Sequence, residues 1–229
     1  MTGLGTAINV ATVIGGTAVG LAAGGRLPER ARTTVLQSVG LITLALGVGE
    51  ALRTHNVVFP LVAIVAGGLV GEALKLEDRL EGVGERIRRR VNAEGHEHFV
   101  EGFVAASLLF CVGPLAVLGS IQDGLNGDVQ LLVVKSALDG LVAIIFAATL
   151  GWGVGFSALP VLIYQGALTL LAGSADAVLT DRMILEGTAT GGIMVMGIAF
   201  RLLELKQVRV GSLLPALVLA PVLVALFAR

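Results

Sequence analysis

From Leu131 to Gly173 the chain reads LLVVKSALDGLVAIIFAATLGWGVGFSALPVLIYQGALTLLAG, two apolar runs of membrane length whose only charges are Lys135 and Asp139. Such a run can cross a bilayer as a helix, and each charge inside it costs roughly 2.5–3.5 kcal/mol at the bilayer centre. Comparable runs recur from end to end, separated by short polar breaks. With 229 residues, 55% of them hydrophobic and 14% charged, and a mean hydropathy of +0.89, the chain is far more apolar than a soluble domain. Lipid admits helices or closed barrels, and long runs without two-residue alternation argue against a barrel. The expected fold is therefore all-α: a polytopic transmembrane helical protein of seven or eight spans, forming one membrane domain over residues 1–229.

The spans are expected at Thr6–Ala23, Thr34–Ala51, Val57–Leu74, Phe99–Gly119, Leu131–Leu150, Ser157–Gly173, Met183–Leu203 and Leu213–Ala228. Several lie near the lower length limit, so one or two are expected to be tilted, broken or re-entrant. Basic residues gather in alternate loops: Arg26, Arg30 and Arg32; Lys75, Arg79, Arg86, Arg88, Arg89 and Arg90; Lys206 and Arg209. The opposite side has Arg53, Arg182 and the acidic loop from Gln122 to Asp128. The positive-inside rule then makes the basic loops cytoplasmic and both termini external, in a cytoplasmic membrane. The start, MTGLGTAINVATVIGG, lacks the basic n-region of a secretory signal and reads as a retained span. Within 75–98, Leu76, Leu80, Val83, Ile87 and Val91 form one apolar stripe at helical spacing. That segment either lies on the anionic inner leaflet or packs on the cytoplasmic helix ends.

The chain also matches itself in constant order. Thr6-Ala-Ile-Asn9 matches Ser136-Ala-Leu-Asp139; Gly16, Gly20 and Gly24 match Ala147, Gly151 and Gly155; Pro28 matches Pro160. Gly40–Gly47 then matches Gly166–Gly173, Glu50 falls on Asp176, and Gly68–Glu77 follows Gly197–Lys206. The ordered series reads as a duplicated unit, with halves of roughly 1–119 and 120–229. Under eight spans the copies face the same way, related by a pseudo-two-fold along the membrane normal. A miscount by one would make the repeat inverted.

Asn9, Glu50, Asp139 and Asp176 are the sharpest candidates, two pseudo-symmetric polar pairs in the outer part of the membrane. Intramembrane ionisable groups are functional-site hypotheses by default. The structural alternative is that Lys135 neutralises Asp139 one turn away and snorkels outward, while Glu50 and Asp176 are ordinary end-of-helix charges. Gln165, like Gln37, is a candidate contact for a polar substrate or an interhelical hydrogen bond. Gly16, Gly20 and Gly24 form a small-residue ridge, with Gly151 and Gly155 its counterpart, suited to internal packing or to a homo-oligomer seam. Gly151–Gly155 followed by Pro160 also fits an unwound helix break. Glu72, Arg201 and Glu204 read as interfacial charges.

His96-Glu-His98 would be a poor metal site, since alternate residues do not share a helix face, and no metal or cofactor is expected. Asp123, Asn126 and Asp128 match only a fragment of a calcium loop. The lone Cys111 implies no internal disulfide. No basic, aromatic-interleaved surface is present to bind nucleic acid. No nucleophile motif or phosphate-binding loop supports an enzyme.

The run Gly119-Ser-Ile-Gln-Asp-Gly-Leu-Asn-Gly-Asp128, Lys135-Ser-Ala-Leu-Asp-Gly140, Gly153-Val-Gly-Phe-Ser-Ala158 and Tyr164-Gln-Gly166 resembles a bacterial membrane family known as domain of unknown function 554. Gly5-Thr-Ala-Ile-Asn9 and Gly24-Gly-Arg-Leu-Pro28 fit the same pattern, so the resemblance covers nearly the whole chain. It implies a multi-pass protein of the bacterial cytoplasmic membrane, loosely described as a transporter, and assigns no substrate or catalytic residue.

Two functional readings follow. The first is a small-solute or ion transporter or channel with a polar path where the two copies meet, binding a small cation or polar solute or relaying protons. The second is a non-transporting structural or regulatory membrane protein whose basic segment engages lipid or a partner. A wet cavity reaching Asp139 favours the first; a dry ion pair with Lys135 favours the second.

Overall fold

A computed structural model describes residues 2–24, 28–91 and 98–227. Arg26 and His96 lie outside the described residues, as does the side chain of Arg32. The described chain is helical, without strands: α1 Leu4–Gly24, α2 Glu29–Ala51, α3 Val58–Ala73, α4 Leu76–Arg90, α5 Phe99–Cys111, α6 Pro114–Asn126, α7 Gln130–Leu150, α8 Gly153–Phe156, α9 Ala158–Leu170, α10 Ala172–Val178, α11 Asp181–Leu202, a 3-10 turn Val210–Leu213 and α12 Pro215–Phe227.

Among the described residues, six segments are long and apolar enough to cross a membrane: Leu4–Gly24, Thr33–Ala51, Gln130–Leu150, Gly153–Leu170, Asp181–Leu202 and Val210–Phe227. Two bent pairs, α3 with α4 and α5 with α6, each turn through 62° and bring the number to eight if each is one span. The expected single span Phe99–Gly119 is thus corrected. The chain breaks at Val112, Gly113 takes φ 130°, and Pro114 starts the next helix. A glycine free to adopt positive φ beside a proline lacking an N–H stops one helix and opens another.

The α5–α6 pair is a broken crossing rather than a re-entrant loop. A Cβ on Gly102 of α5 would stand 3.0 Å from Leu150 Cβ, at the end of α7. A Cβ on Gly119 of α6 would stand 2.9 Å from Leu132 Cγ, near the start of α7. The pair therefore runs the length of α7 in the opposite direction.

The described chain forms two compact units, Met1–Leu36 with Val83–Val178, and Gln37–Gly82 with Leu179–Arg229. In the first, α1 and α7 run parallel in close contact. Their register rises together, Gly16 meeting Gly140 and Ala143, Gly20 meeting Ile144 and Ala147, and Gly24 meeting Ala148. Small residues are what let two backbones approach this closely in lipid, where dispersion rather than the hydrophobic effect holds helices together. The glycine ridge is therefore used inside the chain. Its expected counterpart is not a ridge: Gly151 ends α7 at φ 79°, and only Gly155 packs on α1, its Cβ position 3.1 Å from Thr17 Cγ2. Gly151-Trp152 is the turn between two helices, and Trp152 is exposed.

In the second unit α3 and α11 also run parallel, since Phe59 and Met183 at their starts share a cluster with Val224. At their ends, Arg201 of α11 reaches Glu77, just past α3, at 2.7 Å. The segment from the 3-10 turn through α12 packs antiparallel to α3: Gly67 lies against Ala216 and Gly71 against Ser212. On α2, Gly47 meets Gly192 and Met196 of α11.

Within the basic segment, α4 is the amphipathic helix, and residues 92–97 lie outside the described chain. Glu85 bonds Arg88 at 2.8 Å and Arg89 at 3.1 Å. The hydrogen bond from Arg88 holds the Glu85 carboxyl below the ordinary range for a carboxylate.

Candidate functional site

Asn9 faces the α1–α7 seam, one face of α1 with Gly5, Thr6, Val13 and Gly16, all buried. Opposite it stands Asp139, one turn beyond Lys135. Asn9 Nδ2 donates to Asp139 Oδ2 at 3.0 Å. Lys135 Nζ donates to the same oxygen. Asn9, Lys135 and Asp139 are 0, 5 and 8% exposed as residues. Asn9 and Asp139, matched in the sequence, thus meet directly. Lys135 does not snorkel; it is buried and paired. A groove of about 680 Å³ beside α1, α8 and α9, lined by Ile14, Trp152 and Leu159 among others, is apolar and does not include Asp139. Both members of the ion pair are buried, and this groove does not reach them.

The unit that holds this pair also holds an unusual set of polar atoms. Asn9 Oδ1, both amide atoms of Gln165, and the hydroxyls of Thr6, Ser120 and Thr169 are buried without a hydrogen-bond partner. Asn9, Ser120 and Gln165 are fully buried, Thr6 is 3% and Thr169 5% exposed. The hydroxyl of Thr17, at the Gly155 contact, is unpartnered too, whereas those of Ser107, Ser136, Thr149 and Ser157 donate to carbonyls three or four residues back on their own helices. That local bond is the usual refuge of a hydroxyl in an apolar helix. The hydroxyls of Thr6, Ser120 and Thr169 forgo it. Each buried unpaired polar group carries a desolvation cost of about 1–3 kcal/mol unless something else satisfies it.

The other candidates separate. Glu50 pairs with Arg53 at 3.0 Å at the end of α2. Asp176 is exposed on α10. Neither joins the Asn9–Asp139 contact. Gln165 proves fully buried on α9.

The capping roles of three buried carboxylates, Asp123, Glu186 and Glu77, escaped sequence reasoning. Asp123, fully buried on α6, accepts from Gly3 N at 3.2 Å and Gly5 N at 3.1 Å, where α1 begins. Asp128 accepts from Gln130 N at 3.0 Å, at the start of α7, so the acidic stretch caps helices rather than forming a calcium loop. Glu186, fully buried on α11, accepts from Thr54 Oγ1 at 2.5 Å, His55 N at 2.9 Å and Asn56 N at 3.2 Å, just ahead of α3. Glu77 accepts from Arg201 at 2.7 Å and from Gly211 N at 2.5 Å, within the 3-10 turn. A helix start leaves unpaired N–H groups and a positive dipole end, and a carboxylate answers both. Arg209 joins Glu72 at 2.6 Å and Asp78 at 2.8 Å, so Glu72 and Arg201 are ion-pair partners rather than merely solvated charges.

Stacked apolar helices, close-packed on glycine and enclosing an ion pair, define a polytopic helical membrane protein. The chain belongs to the family described as "Protein of unknown function (DUF554)", whose model matches residues 4–225. It is similar to the uncharacterized protein YqgA of Escherichia coli (strain K12), 32% identical over 95% of this chain and 94% of that one. It is also similar to the uncharacterized membrane protein YdfK of Bacillus subtilis (strain 168), 30% identical over 96% of this chain and 95% of that one. No solved structure matches it.

Proposed function

We propose that this protein is a transporter or channel for a small polar solute or ion in the cytoplasmic membrane, with its termini outside, and that its polar path passes the α1–α7 seam. The supporting observation is the set of unpartnered polar atoms on α1, α6 and α9, in the same unit as Asn9, Lys135 and Asp139. Charge balance accounts for Lys135 and Asp139. It leaves Asn9 Oδ1, Gln165 and three hydroxyls with nothing to bond, inside helices that lipid would surround. A passing polar species, hydrated or not, supplies the missing partners. The closed ion pair is then an occluded state.

The seam is also where the proposed copies meet, since α1 and α7 carry the matched Asn9 and Asp139. The test is a panel of solutes and ions presented to purified protein in liposomes. Flux that wild type supports and folded Asp139→Asn lacks is the expected result, because asparagine copies the shape of the carboxylate and the identity of Asn9. Wild-type flux from Asp139→Asn defeats it.

The second reading rests on the low exposure of Lys135 and Asp139: a dry pair that fixes helix register in a non-transporting membrane protein. It expects no flux for any solute, and normal folding of Lys135→Met/Asp139→Asn, since a neutral packed pair can equal a buried ion pair in stability.

A further inference from the structure

We infer that the polar cluster of α1, α6, α7 and α9 is a binding site for one alkali-metal cation. This deepens the transport reading by naming an ion class, but binding is measurable without flux. The first argument is the donor set. Leaving aside Thr17 and Arg88, which lie elsewhere along the chain, the orphaned atoms are oxygen-rich: Asn9 Oδ1, Gln165 Oε1 and the hydroxyl oxygens of Thr6, Ser120 and Thr169, against the one nitrogen Gln165 Nε2. The orientation of Asn9 is fixed, because its Nδ2 is committed to Asp139. Its oxygen is therefore left as a buried acceptor without a donor. Neutral oxygens suit hard cations and offer nothing to a soft metal.

The second argument is placement. Thr6 and Asn9 lie one turn apart on α1. Asp123, one turn from Ser120 on α6, bonds the amides of Gly3 and Gly5 at the head of α1. Gly5 and Asn9 are separated by about 6 Å of helix rise. The helix α9 runs antiparallel to α1: Gly155 packs on Thr17, while Val10 and Leu162 line the same groove. Ten residues beyond Gly155, about 15 Å along α8 and α9, Gln165 comes level with Thr6 and Asn9, which lie eleven and eight residues back from Thr17. Thr169, one turn further, lies at the crossing of α9 and α6, where its backbone meets Gly124. The unpartnered oxygens thus share one level of the unit.

The third argument is charge. Among the described residues, the buried ionisable side chains of this unit are Asp123, Lys135 and Asp139. Asp123 is answered by the amides at the head of α1 and Asp139 by Lys135, so the site itself offers neutral oxygens, which suit a monovalent cation better than a divalent one that seeks carboxylates. No cluster of three His, Cys, Asp or Glu side chains competes for a metal among the described residues.

The test uses the full chain in nanodiscs and follows thermal unfolding through Trp152, its single tryptophan. Sodium, potassium, lithium and choline chlorides are compared at equal ionic strength. A ligand bound only by the folded state raises the midpoint as its concentration passes Kd. The expected result is a saturable rise of a few degrees with at least one alkali ion over choline, absent in Gln165→Leu and in Thr169→Val. Equal wild-type midpoints in all four salts overturn the site. So does an alkali-specific rise that survives in either variant. If one variant does not fold, the other and the wild-type salt comparison still decide. An ion-dependent midpoint without liposome flux keeps the site and removes transport. Solute flux with equal midpoints in the four salts keeps transport and removes the site.

Discussion

The α1–α7 seam makes a sharp prediction, because one helix carries both the perturbation and its control. Gly20→Ala places a Cβ against the carbonyl oxygen of Ile144, well inside contact distance, and 3.0 Å from Ala147 Cβ. Carbon atoms rest at about 3.5–4.0 Å, so the helices must separate by roughly 0.5–1 Å. A gap of that size forfeits about a quarter to a half of each contact across it, and overpacking of this kind costs about 1–3 kcal/mol. Gly15, on the same helix, has nothing within 4 Å of its Cβ position. Gly15→Ala gains whatever alanine gives an α-helix, a term common to both variants that cancels in their difference. The expected gap is therefore about 1–3 kcal/mol, with Gly20→Ala the less stable. For a chain of this size that is a difference of a few degrees to about 10 °C in thermal midpoint, read in detergent or nanodiscs. Coincident melting of the two variants would refute parallel packing of α1 on α7 through the glycine face.

Glu186→Ala should destabilise the protein by about 1–3 kcal/mol for the amides of His55 and Asn56 and the hydroxyl of Thr54 left unpaired; a melting curve like wild type's rules out that cap. Lys75 and Glu204 carry positive φ, 52° and 56°. Lys75→Gly and Glu204→Gly should each raise stability by about 1 kcal/mol in denaturation, and a loss in either contradicts the left-handed termination. In a Cys111→Ser background, an impermeant thiol reagent applied to intact cells should label Asn126→Cys and spare Glu85→Cys; the reverse pattern inverts the topology.

The membrane class and most helix boundaries were legible because hydropathy is a local property. What failed did so for physical reasons. The run Phe99–Gly119 is apolar throughout, and its composition masks the backbone event at Val112-Gly113-Pro114. The Gly-Pro pair was the available signal, and it outranks hydropathy wherever a helix must stop. Asn9 and Asp139 came from matching the chain to itself, which assigns equivalence and not contact; their hydrogen bond depends on the two helices lying parallel. The capping carboxylates were not legible at all. Asp123 and Glu186 bond backbone amides of remote segments, and an amide has no signature in the sequence. Gln165 was visible as a polar residue in an apolar run, but its isolation on α9 depends on what surrounds it.

The same geometry bears on whether the chain is a duplication, and of which hand. An inverted repeat would set the matched helices antiparallel, yet α1 and α7 rise together, and so do α3 and α11, each pair within its own unit. The ends of α3 and α11 agree in detail. Leu74 N bonds Val70 O and Lys75 N bonds Glu72 O; Leu203 N bonds Ala199 O and Glu204 N bonds Arg201 O. Lys75 and Glu204 are the non-glycine residues at positive φ among those described, and they are the residues that the self-alignment of Gly68–Glu77 with Gly197–Lys206 places opposite each other. A left-handed lysine or glutamate costs energy that glycine would spare, so its recurrence at matched positions is harder to attribute to abundant Gly, Ala and Leu than any sequence match. The glycines differ between the matched positions. Gly40 and Gly47 pack on α11, while their counterparts Gly166 and Gly173 meet nothing within 4 Å. Asn9 facing Asp139 shows the same difference in one contact: a neutral amide at one matched position, a carboxyl group with its own lysine at the other, and the asymmetry falls where the proposed path runs.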